Sequence, residues 1–391
     1  MNLQQLNKPI TLPSFKLSAK KMDSKPPVLK IALSLDIGSR YTKLLVGGQK
    51  ANRLAIEQTL MTRTPEGACA DGAVTDSVRL GAMLKGLIAQ DKTATKDLVF
   101  SVESTKIIKR EFIVPKISEN DILGLVTFEM GQYLPIDISE YSVQPKVIGG
   151  VKEGGDEKIK VCVNAVPKGI IQAYQKLFTS VGLRPVSMDI NPNSIEKLIR
   201  FEMKNNPANE FADKNVVFID MGHSCFNMSV YENGMYQFSR DIEIGGYMID
   251  DMIEKALDVD PEKANQIKKE VCSRINAVDL DMKYGRALSG YHPQNINETV
   301  LIELLYIMNN WAGQVDNVLQ YIARSLERNI DRIYIYGGSS SINGIGDFFE
   351  KKLSVKTSAA NTFKCCEYGA HDDAHGIMAT HLNTLGALLR L

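Results

Sequence analysis

The chain has 391 residues, more than one compact core usually holds, so two lobes or more are expected. Its 44 % apolar and 24 % charged residues are those of an ordinary globular protein, and 46 basic side chains balance 46 acidic ones. A zero net charge argues against a general nucleic-acid binder, where a basic excess is the usual footprint.

No apolar run approaches the ~20 residues that span a bilayer, and the N-terminus lacks the pattern of a signal peptide, so a cytoplasmic protein is expected. The cysteines (Cys69, Cys162, Cys225, Cys272, Cys365, Cys366) form no CxxC pair, which predicts neither a disulfide framework nor a zinc site.

Residues 1–28 set five lysines and four prolines against one acid, Asp23, without a sustained period. They read as a flexible basic tail, with weak attraction to an anionic membrane surface as the sharper reading. A hairpin follows at 29–47, then a helix at 74–90 with Thr75 or Asp76 as its cap. Two strands fill 98–114. A helix runs from Ser118 to about Tyr133 and stops at Pro135. Strands at 141–149 and 159–166 flank the loop KEGGDE, and helix 168–181, strand 184–190 and helix 192–203 follow. The pattern then restarts with VVFIDMG at 216–222, a strand at 227–231, and MYQFSRDIEI running into Gly245-Gly246. Helices fill roughly 247–330, with a loop near 289–296; a buried strand, RIYIY, opens onto GGSSSINGIG, and a helix at 376–390 closes the chain.

Residues 33–46 (LSLDIGSRYTKLLV) and 217–230 (VFIDMGHSCFNMSV) align, Asp36 with Asp220 and Gly38 with Gly222. One acid–x–glycine hairpin is weak evidence, because Asp and Gly are the commonest turn residues. Two in register, followed by a strand and the turn Gly337-Gly338-Ser339, are a strong sign of a phosphate clamp. Tight glycine turns aim backbone N–H groups at phosphate oxygens, and an Asp at each strand end holds Mg²⁺ through water. Gly337 and Gly338 allow a nucleoside to approach the backbone.

This order resembles the actin-like ATPase superfamily, with phosphate motifs at 36–43 and 220–227 and an adenosine motif at 336–344. Within it the chain resembles the PilM family of type IV pilus assembly proteins, with the cell-division protein FtsA more distant. The segment from SVESTKIIKREFIVPKISEND to the E-x-x-x-Y-x-P pattern of Glu129, Tyr133 and Pro135 carries that likeness, as does VCVNAVPKGIIQAYQKLFTSVGLRPVSMDI. The resemblance implies a two-lobed α/β actin-like fold. Its expected parts are a first lobe at 29–94, an inserted subdomain at 95–185, a return to the first lobe at 186–214, a second lobe at 215–375, and a final helix at 376–391 in the first lobe. It also implies that Asp36, Gly38, Ser39, Thr42, Lys43, Asp220, Gly222, Ser224, Gly245, Gly246, Lys268, Gly337, Gly338 and Ser339 hold ATP, with Asp36 and Asp220 serving Mg²⁺.

The chain departs from the family pattern at Arg40 and Tyr41, where small or hydroxyl residues are usual, and at His223, Cys225, Phe226 and Asn227. Family acids are replaced at Asn191, Asn265, Gln314 and Gln320, which predicts acids turned into amides around one cleft. An amide still hydrogen-bonds a ribose but neither carries charge nor acts as a base, so binding without efficient hydrolysis is expected. Trp311 reads as core, and Lys106, Lys109 and Arg110 as a solvated face.

The function implied is a cytoplasmic adaptor at the inner face of the membrane. It would bind the N-terminal peptide of a PilN-like inner-membrane protein near Glu129, Tyr133 and Pro135, and couple to pilus motor ATPases. The alternatives are an FtsA-like membrane-tethered filament protein, disfavoured because HLNTLGALLRL matches the last domain helix, and a small-molecule kinase of the same superfamily, disfavoured by the lost acids.

Overall fold

A computed structural model describes residues 31–91, 93–153, 156–285, 295–326, 329–361, 363–369 and 373–389. The expected tail at 1–28, most of the expected loop at 289–296, and Gly154 and Gly155 of the KEGGDE loop lie outside the described residues.

The chain opens with an antiparallel meander, β1 (Ala32–Ile37), β2 (Tyr41–Lys50) and β3 (Arg53–Arg63). The third strand extends the expected hairpin. Two short strands, β4 (Cys69–Ala70) and β5 (Ala73–Val74), lead to α1 (Ser77–Ile88), whose first amides are capped by the Asp76 carboxylate. Next, β6 (Asp97–Val102) lies parallel to β1. The chain then leaves this sheet: β7 (Ile108–Pro115), α2 (Glu119–Tyr133), β8 (Tyr141–Glu153) and β9 (Asp156–Pro167) form a separate unit, with sheet order β7-β9-β8 and α2 packed on one face through Ile122, Val126 and Met130. It returns through α3 (Lys168–Ser180), β10 (Arg184–Ile190) and α4 (Asn191–Asn205).

The second half repeats the plan. A meander, β11 (Asn215–Met221), β12 (Phe226–Glu232) and β13 (Met235–Ile242), is followed by α5 (Tyr247–Leu257), α6 (Pro261–Arg274), α7 (Ala277–Tyr284) and α8 (Ile296–Leu326). Then come β14 (Arg332–Tyr336), α9 (Ile345–Leu353), β15 (Thr357–Ala359), β16 (Cys366–Glu367) and α10 (Ala374–Leu388). The sheets run β10-β6-β1-β2-β3-β16 and β13-β12-β11-β14-β15, each a meander extended by parallel strands.

Two expected boundaries move. The separate sheet spans 108–167 rather than 95–185, because β6 and β10 pair in the first sheet and α3 buries Ile170, Tyr174, Leu177 and Phe178 against Leu33, Leu35 and Phe100. The second lobe does not run to 375, because β16 already pairs with β3.

Helices α1 and α3 cover the outer face of the first sheet, and α5 to α9 cover that of the second. Between the sheets lie α4 and α10, packed on Ala32, Leu45 and Val99 on one side and on Phe218, Tyr231 and Tyr334 on the other. The two helices cross closely: a Cβ on Gly386 would stand 1.9 Å from the Ser194 carbonyl oxygen. Trp311 is fully buried beside Phe226, as expected for core.

Candidate nucleotide cleft

Strand alternation aims both aspartates inward. Leu33, Leu35 and Ile37 pack on the outer helices, so Ala32, Ser34 and Asp36 face the other way. On β11, Val217, Ile219 and Met221 are outward, so Val216, Phe218 and Asp220 face the first lobe. The register repeats too: Asp36 pairs with Lys43 across its hairpin, and Asp220 with Asn227. Both acids sit at strand carboxyl ends, where open α/β sheets place their ligands.

From α10, Asn383 donates to Asp220 at 3.0 Å and to Asp36 at 3.5 Å, while Tyr336 donates to its carbonyl at 3.0 Å. Lys43 Nζ stands 3.0 Å from Asp36. Burial pushes the Asp220 carboxyl up to about 6, against the pull of Lys43. Burial also acts against the Lys43 ammonium, but Asp36 and Asp220 outweigh it and raise its pKa. The two hairpin turns meet where Ser224 donates to Ser39 at 2.6 Å.

Around these groups lies a cavity of about 550 Å³, lined from both lobes. Asp36, Gly38, Ser39, Lys43, Asp220, Gly222, Ser224, Gly246, Lys268, Gly338 and Ser339 all line it. Three expected residues do not. Thr42 lies on the opposite face of β2 from Tyr41 and Lys43, buried with its hydroxyl 2.9 Å from that of Thr64. Gly245 stands behind the turn, where a Cβ would sit 2.2 Å from the His223 carbonyl oxygen. Gly337, at φ +89°, underlies Asp220: a Cβ there would be 2.3 Å from the carboxylate. Glu129, Tyr133 and Pro135 lie on the inserted unit, away from the cavity, with Tyr133 73 % exposed.

The glycine amides are less available than the sequence suggests. Those of Gly38, Gly246 and Gly337 donate to Tyr41, Gly222 and Ala379 carbonyls at 3.1, 3.0 and 2.7 Å. The hydroxyl-bearing Ser39, Ser224 and Ser339 and the Lys43 ammonium line the cavity beside them. Lys268 already binds the Gly246 carbonyl at 2.8 Å and the Asp250 carboxylate at 2.9 Å. Among the described residues no group of three or more acidic, His or Cys side chains is placed to hold a metal ion. Asp36 and Asp220 thus suit a hydrated Mg²⁺ better than direct chelation.

Other expectations change. Of the four replaced acids only Asn191 and Asn265 line the cavity. Gln314 and Gln320 are exposed on α8, which turns its apolar stripe inward. Asn265 accepts from the Tyr41 hydroxyl at 3.3 Å. Lys109 is no solvated lysine: its side chain is only 10 % exposed and ion-paired with Glu103, whose carboxyl burial pushes up to about 7 against the pull of Lys109. Glu103, Asp241 and Asn383 were not anticipated; polar His381, Asn383 and Thr384 in an otherwise apolar helix were the signal for the last.

A duplicated sheet, helices between the copies and an acid–glycine hairpin from each lobe define an actin-like ATPase fold. Residues 217–375 match the profile of the cell division protein FtsA. The chain belongs to the family of type IV pilus assembly protein PilM, whose profile matches residues 34–276. It is similar in structure to a chain of a PilM–PilN type IV pilus biogenesis complex, with a TM-score of 0.75 and 19 % identity over 93 % of this chain and 99 % of the other. A further likeness is to the ethanolamine utilization protein EutJ from Carboxydothermus hydrogenoformans, with a TM-score of 0.51 and 12 % identity over 94 % and 91 %.

Proposed function

We propose that this protein is an adaptor of a type IV pilus machine, working in the cytoplasm at the inner face of the membrane. It binds ATP with Mg²⁺ between its lobes and holds a cytoplasmic peptide of a PilN-like membrane protein on another surface. The observation that carries the nucleotide half is the pair of aspartates, one from each lobe, facing a shared cavity beside Lys43. The partner half rests on family membership and on the PilM–PilN complex as a structural neighbour.

The peptide surface is assigned to the inserted unit, where Leu123, Phe128 and Tyr133 of α2 are exposed near Glu129 and Pro135. An extended peptide there gains main-chain hydrogen bonds and apolar contacts at an ordering cost. Nucleotide closing the cleft biases peptide binding without need of turnover. Coupling to motor ATPases follows from the same reading.

Alanine at Asp36 and at Asp220 tests the cleft. Each variant is expected to weaken Mg-ATP at least tenfold in a fluorescent-nucleotide titration. Wild-type affinity in both would overturn the nucleotide half.

A further inference from the structure

A second cavity, of about 270 Å³, adjoins the hairpin turns. Ser39 and Arg40 line it from one lobe and His223 and Ser224 from the other, with Arg63, Glu66 and Asp71 also on its wall. Arg40 is unusual. Its Nε and Nη2 are shielded from solvent, and neither finds an acceptor among the described residues. A guanidinium taken out of water without an acceptor is costly, and its planar fork suits an oxyanion.

Carboxylates share the wall, but none is hydrogen-bonded to these two nitrogens. Arg63 pairs with Glu262 across the cleft. Both Asp71 oxygens are engaged by Thr105, its amide at 2.8 Å and its hydroxyl at 2.8 Å, and Glu66 is exposed. Burial, then Lys268, with Arg40 and Arg63, hold the pKa of His223 on the same wall down at about 4, although Asp250 pulls the other way.

We propose that this side cavity binds a tetrahedral oxyanion of the phosphate class, with Arg40 as its principal ligand and the Ser39 and Ser224 hydroxyls beside it. The oxyanion has two possible sources. One is free orthophosphate. The other is the terminal phosphate of a nucleotide in the main cavity, and only that source rests on the reading above. Arg40 lines both cavities.

The test titrates the full chain with orthophosphate, then with ADP, then with a non-hydrolysable ATP analogue, in wild type, Arg40→Ala and Arg40→Gln. Calorimetry gives affinities, and the imidazole proton resonances of His223 give its pKa. If the source is free phosphate, orthophosphate binds wild type, raises the His223 pKa by about one unit, and weakens tenfold or more in both variants. If the source is a nucleotide, orthophosphate alone binds weakly, but the preference for triphosphate over diphosphate falls tenfold or more while ADP affinity holds. Absence of any nucleotide binding would remove the nucleotide half of the proposed function and leave the orthophosphate result to decide. The proposal is overturned if both variants keep wild-type phosphate affinity and the wild-type triphosphate preference, or if wild type binds neither ligand.

Discussion

Asn383 donates its side-chain amide to Asp220 at 3.0 Å and to Asp36 at 3.5 Å, so one residue of the last helix spans the acids of both lobes. Tyr336 fixes its orientation by donating to the other end of the amide at 3.0 Å. Replacing Asn383 with Leu leaves the buried Tyr336 hydroxyl and the part-buried Asp220 carboxylate without their partner. Each orphaned buried polar group costs about 1–3 kcal/mol, so Asn383→Leu should lower the urea midpoint clearly. An unchanged midpoint would show that the bridge contributes nothing to the fold.

The pH dependence of stability carries opposing contributions. His381 is buried, and burial and then Lys43 hold its pKa down at about 4, below the ordinary value near 6.5; His223 behaves alike. The unfolded chain takes up these protons first, so both histidines reduce stability as pH falls from about 6.5 toward 4. Asp220 acts oppositely: its folded pKa of about 6 lies above the unfolded value, so it adds stability as pH falls through the same range. His381→Gln should flatten the fall in stability on acidification, and Asp220→Asn should steepen it. Urea unfolding at several pH values between about 4.5 and 7 measures both slopes, and parallel profiles for all three proteins would contradict the assignment.

Two glycines in helices should respond oppositely to alanine. A Cβ on Gly386 would lie 1.9 Å from the Ser194 carbonyl oxygen, whereas one on Gly86 in α1 meets nothing within 4 Å. Gly386→Ala should destabilise by about 1–3 kcal/mol through overpacking. Gly86→Ala should stabilise by about 0.5–1 kcal/mol through helix propensity. Thermal unfolding of the pair separates the effects, and equal shifts would refute the close helix crossing.

The cleft is tied across its mouth. Tyr41 reaches Asn265, its ring lies 5.2 Å from the Lys269 ammonium, and Arg63 pairs with Glu262. These ties link the first hairpin and β3 to α6. Tyr41→Ala with Arg63→Ala should speed nucleotide release several-fold in stopped-flow displacement. Unchanged release would mean that the ties do not gate the cleft.

The repeated aspartates were legible because strand alternation and turn chemistry are local, and both survive folding. Asn383 was not, since nothing local says that a polar residue in an apolar helix will land between two distant strands. The amides that replace family acids show the same limit. Asn191 and Asn265 reached it, but Gln314 and Gln320 sit on the solvent side of α8, a choice made by the packing of that helix and not by spacing. Lys109 was misread because its partner, Glu103, lies just past the end of β6, and only the turn into β7 and the packing around it bring the pair together out of solvent. The width of the inserted unit also depends on pairing: β6 and β10 are ordinary strands in sequence, and only their parallel register with the first sheet excludes them from the insert.

The most direct measurement is calorimetric titration of the protein with the cytoplasmic N-terminal peptide of a PilN-like inner-membrane protein from the same organism, with and without Mg-ATP. The proposed function predicts tight binding whose affinity changes when Mg-ATP is added. No binding in either condition would contradict the adaptor role and leave the likeness to PilM one of family and fold alone.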